Sequence, residues 1–282
     1  MPELPEVETV ANGVNERVRG QRIESVWLSS KPQTFKTPVG EMMELLDGSR
    51  IDLVRRVGKH IVFDLSDAAG TPNFQWIVHL GMTGRLLVCA ADVPLPPHTH
   101  AVLGLSSGRD LRFVDPRRFG RLAIHHFSAL KDGKVSEADH FKGPGREPLS
   151  ILLGDFVALF RGRRLAIKSA LLNQNLLHGV GNIYADESLF RAGIRPKRMA
   201  GRLRRVELER LHGAVQSVLR EAIALGGSSV SDYVDADGIR GFFQLQHRVY
   251  MRTGQPCLVC GTPIRKIVLG GRSTHFCLTC QR

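Results

Sequence analysis

Ile61-Val62-Phe63-Asp64-Leu65 and Trp76-Ile77-Val78-His79-Leu80 decide the fold class, because each is a short run of β-branched and aromatic residues bounded by turn formers. Arg22-Ile23-Glu24-Ser25-Val26-Trp27 precedes them, and Ala101-Val102-Leu103-Gly104-Leu105 and Leu111-Arg112-Phe113-Val114 follow with similar patterning. Runs of this length and alternation read as strands, so residues 22–127 are expected to form an antiparallel β-sandwich or barrel.

Outward from these strands the pattern changes. An opening helix is expected to about Arg19, which places residues 1–135 in one N-terminal domain. Residues 131–150 lose periodicity and gather Gly, Pro and charge, as in Gly143-Pro144-Gly145, and 136–150 reads as a linker. From Gly154 helical spacing takes over, in Phe156-Val157 with Leu159-Phe160 and in Leu208, Leu211, Val215, Val218 and Leu219. The chain is thus expected to be an α+β multidomain protein, with a helical domain over 151–244 and a separate C-terminal segment over 245–282.

That last segment carries Cys257-Leu258-Val259-Cys260 and Cys277-Leu278-Thr279-Cys280, with sixteen residues between the inner cysteines. Four thiolates at this spacing close a tetrahedral shell around one Zn2+ and leave no position for substrate, so the metal would be structural. It would also supply folding energy to a segment with little core of its own. Two disulfides are the competing reading. They fit poorly with an acidic start that lacks the basic-then-apolar layout of a secretory signal.

The composition points to a polyanionic partner. Against 27 Asp and Glu stand 39 Lys and Arg, a net +12 over 282 residues. The arginines cluster, at Arg117-Arg118, Arg161 with Arg163-Arg164, and Arg202 with Arg204-Arg205. Part of this charge is ordinary solvated surface. With 43% hydrophobic residues and no apolar run long enough to cross a bilayer, a soluble intracellular protein with ample core is expected.

Chemistry is concentrated at the other terminus, in Met1-Pro2-Glu3-Leu4-Pro5-Glu6-Val7-Glu8. Removal of Met1 would leave the Pro2 ring nitrogen as a free secondary amine, able to attack a carbonyl and form an iminium. An α-amino group titrates at about 7.7–8.0 against about 10.4 for lysine, so far more of it is neutral and nucleophilic near pH 7. Glu3 and Glu6 share a helix face beside that amine and could move protons. The same residues also read as ordinary helix-start chemistry, with proline and acidic groups in the first turn.

The opening segment joins four others: His79-Leu80-Gly81-Met82-Thr83-Gly84, Asp115-Pro116-Arg117-Arg118-Phe119-Gly120, the stretch from Asn173 to Pro196, and Arg272-Ser273-Thr274 running into the second cysteine pair. Collinear and covering nearly the whole chain, these five segments resemble bacterial formamidopyrimidine-DNA glycosylases. Leu4 favours that branch over the related endonuclease VIII enzymes.

The resemblance implies a β-sandwich flanked by helices, then a helix–two-turn–helix domain and a four-cysteine zinc-finger β-hairpin. It also implies a cytoplasmic, nucleoid-associated monomer that excises 8-oxoguanine and formamidopyrimidines from double-stranded DNA and cuts the abasic strand by β,δ-elimination. Pro2 would be the nucleophile and Glu3 the acid toward the opening sugar. Glu6 would hold the arrangement, and Lys59 would reach the lesion or its phosphate. Met82, Arg117 and Phe119 would fill the gap left by the flipped nucleotide. Lys168, Asn182 and Arg272 would meet phosphates. A loop at about 226–242 would cap the flipped base, and here Ser229 and Ser231 depart from a common form of the family pattern. Without the resemblance, Lys59 reads as a solvated turn lysine, and Met82 and Phe119 as core. A catalytically silent damage binder, a zinc-ribbon nucleic-acid binder and a glycosylase for oxidised pyrimidines are the remaining alternatives.

Overall fold

The fold is described from a computed structural model covering residues 1–282, of which 128, 129, 132, 133, 137 and 229–240 are outside the described residues. Two compact units result, one built on Met1–Gly143, which Ser228 joins, and the other on Pro144–Gly227 with Phe242–Arg282.

In the first unit, α1 (Leu4–Val18) leads into β1 (Ile23–Leu28), α2 (Val39–Leu46), β2 (Arg50–Val57), β3 (His60–Ser66), β4 (Pro72–His79), β5 (Arg85–Ala90), β6 (Thr99–Leu105), β7 (Arg109–Val114) and β8 (Arg121–His126). The strands form two four-stranded antiparallel sheets, ordered β1-β6-β7-β5 and β2-β3-β4-β8. Alternate side chains of both sheets bury in one core: Leu86, Leu103, Leu111 and Phe113 from the first, Ile61, Phe63, Trp76 and Leu122 from the second. Phe63 and Trp76 face each other across the β3–β4 ladder with ring centroids 4.8 Å apart. Helix α1 adds Val7, Val10, Val14 and Val18 to this core, a stripe at three- and four-residue spacing.

Helix α2 interrupts what the strand-like patterning predicts across 22–127. It is only eight residues long, and its claim on the core is the pair Met42 and Leu46, one turn apart and fully buried. A signal of two residues is too short for periodicity to separate from a strand.

The second sheet is covered on both faces. Val57, Val62 and Ile77 form a separate small cluster on its outer side, against Ala123 and Phe141. This explains why β4 reads as a nearly continuous apolar run rather than a clean alternation. A short hairpin of β9 (Leu130–Lys131) and β10 (Lys134–Val135) follows.

The second unit packs α3 (Leu153–Phe160), α4 (Ile167–Leu172), α5 (Asn182–Arg191) and α6 (Arg205–Ala224), then turns back into a hairpin of β11 (Arg265–Leu269) and β12 (Arg272–Phe276). Leu208, Leu211, Val215, Val218 and Leu219 supply the buried stripe of α6. Phe190 of α5 joins Val249, Cys257, Ile264 and Cys277 in a small core that ties the cysteine segment to the helices. Among the described residues, no helix is long and apolar enough to cross a membrane.

Candidate functional site

Helix α1 begins at Leu4, so Pro2 and Glu3 precede its first turn. Both are buried, as is Glu6, and Glu3 is the N-cap of a capping box. The Glu3 backbone N–H donates to Glu6 Oε2 at 2.7 Å, while the Glu3 carboxylate accepts the backbone N–H of Glu6. The other oxygen of Glu6, Oε1, accepts the Ser228 N–H at 2.7 Å. Glu6 is therefore held at both oxygens by backbone donors.

Lys59 lies in the two-residue turn of the β2–β3 hairpin, after Gly58 at φ +60°. Glycine in the first position of such a turn is what a type II′ hairpin demands. Arg56, one residue before Val57 on β2, donates Nε to Glu8 of α1 and Nη1 to the Gly58 carbonyl at 3.3 Å. Its side chain is only 6% exposed. This bridge ties the Lys59 turn to α1, the helix that follows Pro2 and Glu3. Nothing local in the sequence pairs Glu8 with Arg56, because they lie 48 positions apart.

Met82, Arg117 and Phe119 sit on two loops that are knotted together. The Asp115 carboxylate, fully buried, accepts the Thr83 hydroxyl at 2.6 Å on Oδ1 and the Gly120 N–H at 2.7 Å on Oδ2. Gly81, at φ +64°, lies so close to the second loop that a Cβ there would fall 2.4 Å from the Gly120 nitrogen. The spacing of His79-Leu80-Gly81-Met82-Thr83-Gly84 and Asp115-Pro116-Arg117-Arg118-Phe119-Gly120 is thus explained by a single junction. Both apolar side chains project outward, Met82 39% and Phe119 48% exposed, and the Arg117 guanidinium lies 4.8 Å from the Phe119 ring centroid. They are not the core residues that composition alone would make them. Behind them the His98 backbone adopts φ +68° and its carbonyl accepts the Asp115 N–H at 3.0 Å, which brings an exposed imidazole to the same junction. A non-glycine residue in that conformation is the kind of feature only coordinates reveal.

His79, at the end of β4, accepts the Gly81 N–H on Nδ1 at 3.1 Å. Burial first, and then the charges of His60, Lys59 and Arg121, lower its pKa to about 4.

In the second unit, Asn173–Gly181 forms the connection between α4 and α5. Gln174 staples it, donating to the Leu172 and Val180 carbonyls and accepting from Gly179, each at 2.9 Å. Gly181 is the N-cap of α5, so Asn182 stands at the first helical position among unpaired backbone donors. Its amide donates to Ser273 Oγ of β12 at 3.3 Å. Arg272 opens β12 and is exposed, just beyond the Gly270-Gly271 turn.

Lys168 lies elsewhere than the expected phosphate contact requires. Its side chain is 1% exposed, and its ammonium binds Asp186 Oδ1 at 2.7 Å, the Ser273 carbonyl at 2.7 Å and Thr274 Oγ1 at 2.9 Å. Asp186 also accepts the His275 N–H at 2.8 Å. These bonds join α4, α5 and β12 around one buried ion pair. The loop expected to cap a flipped base falls largely on 229–240, outside the described residues.

The four cysteines converge at one end of the hairpin, with all Sγ atoms within 4.8 Å of one another. Cys257 and Cys280 are 3.8 Å apart and Cys260 and Cys277 3.5 Å. A tetrahedral Zn2+ with bonds of about 2.3 Å requires sulfur separations of about 3.8 Å, so the set fits one zinc and no substrate position. Hydrogen bonds from Thr262 lower the pKa of the Cys260 thiol, while burial raises those of Cys277 and Cys280, so without a cation the four thiols do not share one charge state and a bound metal would be needed to hold all four as thiolates.

Compared with known proteins, residues 1–122 match the formamidopyrimidine-DNA glycosylase N-terminal domain, 145–234 the H2TH domain of the same enzymes and 254–282 the zinc finger found in FPG and IleRS. The formamidopyrimidine-DNA glycosylase of Thioalkalivibrio sulfidiphilus is 44% identical over the full length of both chains, and that of Burkholderia mallei is 45% identical over the same extent. The solved MutM (Fpg) protein of Thermus thermophilus superposes with a TM-score of 0.82 at 42% identity, over 99% of this chain and 98% of that one. A Lactococcus lactis Fpg variant, solved with DNA containing Fapy-dG, gives 0.87 at 34% identity over all of both chains. The chain belongs to the formamidopyrimidine-DNA glycosylase family.

Proposed function

We propose that this protein excises oxidised purines from duplex DNA through the Pro2 amine and then cuts the abasic strand. With Met1 removed, the Pro2 nitrogen attacks C1′ of the damaged nucleotide and the base departs. Glu3 protonates the ring oxygen as the sugar opens, giving an iminium between the proline nitrogen and C1′. That cation acidifies the C2′–H, so loss of the proton expels the 3′ phosphate, and a second elimination expels the 5′ phosphate.

The single observation that carries this reading is the placement of Pro2, Glu3 and Glu6 together at the buried start of α1. Glu6 is held by two backbone donors and acts as the brace, and Glu3, next in the chain to the amine, is assigned the proton. Lys59 stands on a hairpin clamped to α1 and reaches the lesion or its phosphate. Met82, Arg117 and Phe119 take the space vacated by the flipped nucleotide, with a thioether and a ring against bases and a guanidinium available to the orphaned base. Asn182 and Arg272 meet phosphates, and Lys168 supports them from the interior. Zinc, when bound by Cys257, Cys260, Cys277 and Cys280, holds the hairpin and takes no part in the chemistry.

Borohydride trapping on a duplex with one 8-oxoguanine opposite cytosine tests this assignment. The protein should give a covalent adduct and Pro2→Gly should give none while still binding the duplex. An adduct formed equally by Pro2→Gly would show that the secondary amine of proline is not required.

A further inference from the structure

The outer face of the β2-β3-β4-β8 sheet carries an open pocket of about 510 Å³ that no step above uses. This size lies within the range of small-molecule sites, about 300–1,000 Å³. Its floor is apolar, formed by Ile77 and Ala123, which pair in register, with Ile124 and the Phe141 ring beside them. Its polar wall consists of Lys36, His60, His79, Arg121 and His125, and among the described residues no carboxylate lines it.

The hydrogen-bond roles on that wall can be assigned. His79 accepts a backbone N–H on Nδ1, and it stays neutral near pH 7, so its proton is on Nε2 and is available to an acceptor. Arg121 uses Nη1 on the Arg118 and Gly120 carbonyls, and among the described residues neither it nor Lys36 has an ion-pair partner. Arg121 and the imidazole donor of His79 stand together at one end, where the two residues pair, and Lys36 lines the same pocket. Burial first, and then positive charge that includes Arg121, lowers the pKa of His79, and a bound anion would offset that charge. Four residues along β8, or about 13 Å at about 3.3 Å per residue, His125 donates Nε2–H to the Asp139 carbonyl at 2.7 Å. In its neutral form it keeps an Nδ1 lone pair for an N–H of a ligand.

We infer that this pocket binds a nucleoside 5′-monophosphate. Its phosphate sits between Lys36, His79 and Arg121, and its base lies on the Ile77–Ala123 floor against Phe141. The nucleotide can be free or can be the 5′-phosphorylated end of a DNA strand, since both present the same dianion beside a planar ring.

Calorimetric titration of the zinc-loaded protein with dGMP tests the site. Saturable binding is expected, at least tenfold weaker for Arg121→Gln and for Lys36→Gln, from the loss of a charge-assisted contact. Lys36 is exposed, so its replacement leaves the fold intact. Deoxyguanosine and inorganic phosphate should each bind at least tenfold more weakly than dGMP, while Arg272→Ala, in the other unit, should bind dGMP within twofold of the parent. A 5′-phosphorylated hexanucleotide that competes with dGMP, where its unphosphorylated form does not, would assign the pocket to strand ends. Failure of both to compete would assign it to free nucleotide. No saturable binding, binding indifferent to Arg121→Gln and Lys36→Gln, or binding abolished by Arg272→Ala would overturn the proposal.

Discussion

Lys168→Met separates a lysine that touches DNA from one that braces the interior. The ammonium has three protein acceptors and almost no exposure, and its carboxylate partner Asp186 is fully buried. Removing one member of such a pair leaves the other uncompensated, at a cost of about 3–5 kcal/mol. For a unit of this size each kcal/mol moves the thermal midpoint by roughly 3–5 °C, so a fall of about 10–20 °C is expected. Asp186→Asn should do the same, and the double variant should lose less than the sum of the two by about 2 kcal/mol, because the partners share one interaction. The assay is thermal unfolding of the zinc-loaded protein, paired with duplex affinity between 50 and 200 mM salt on folded samples at low temperature. A lysine on a phosphate contributes about 0.9 to the slope of log affinity against log salt. Lys168 should contribute nothing, whereas Asn182→Ala, at the first position of α5, should weaken all duplexes alike. A midpoint unchanged by Lys168→Met together with a slope shallower by about one would refute the brace.

Three further outcomes are expected. Cys257→Ser should release zinc and lower duplex affinity together, and a full equivalent of metal measured in the purified variant would contradict the four-thiolate site. Glu8→Gln removes the charge that holds Arg56, and with it the Lys59 turn; single-turnover excision should fall roughly tenfold or more with duplex binding within twofold, and an unchanged excision rate would show that the bridge positions nothing. His79 has a folded pKa below its unfolded value of 6.5, so the unfolded chain takes up the proton first; its contribution to stability is complete above pH 6.5 and is lost as the pH falls toward 4. Urea unfolding at pH 7 and 4.5 should therefore differ by about 2–3 kcal/mol more for the parent than for His79→Asn, and parallel pH curves would contradict the burial of that imidazole.

What could be read from the chain follows the range of each interaction. The strands at 61–65 and 76–80 are legible because a buried β-ladder imposes its pattern on adjacent residues. The zinc site is legible because both thiol pairs must fit within a single turn. The ion pair at Lys168 leaves no such trace, since Thr274 lies 106 positions away and Lys168 itself resembles any other basic residue of a basic chain. The outward placement of Met82 and Phe119 is hidden for a related reason. Their hydrophobicity argues for burial, and only the junction at Asp115, which joins segments 32 positions apart, turns them outward.

The Asp115 junction also bears on timing. Loops that must order on contact lose conformational entropy at every encounter, and the loss weakens and slows each one. Here Thr83, Gly120 and the close approach at Gly81 fix both loops before any partner arrives. Met82, Arg117 and Phe119 are therefore carried on one preordered junction, and on the function proposed above the interrogation of a base pair would be limited by the give of the duplex rather than by any rearrangement of these loops.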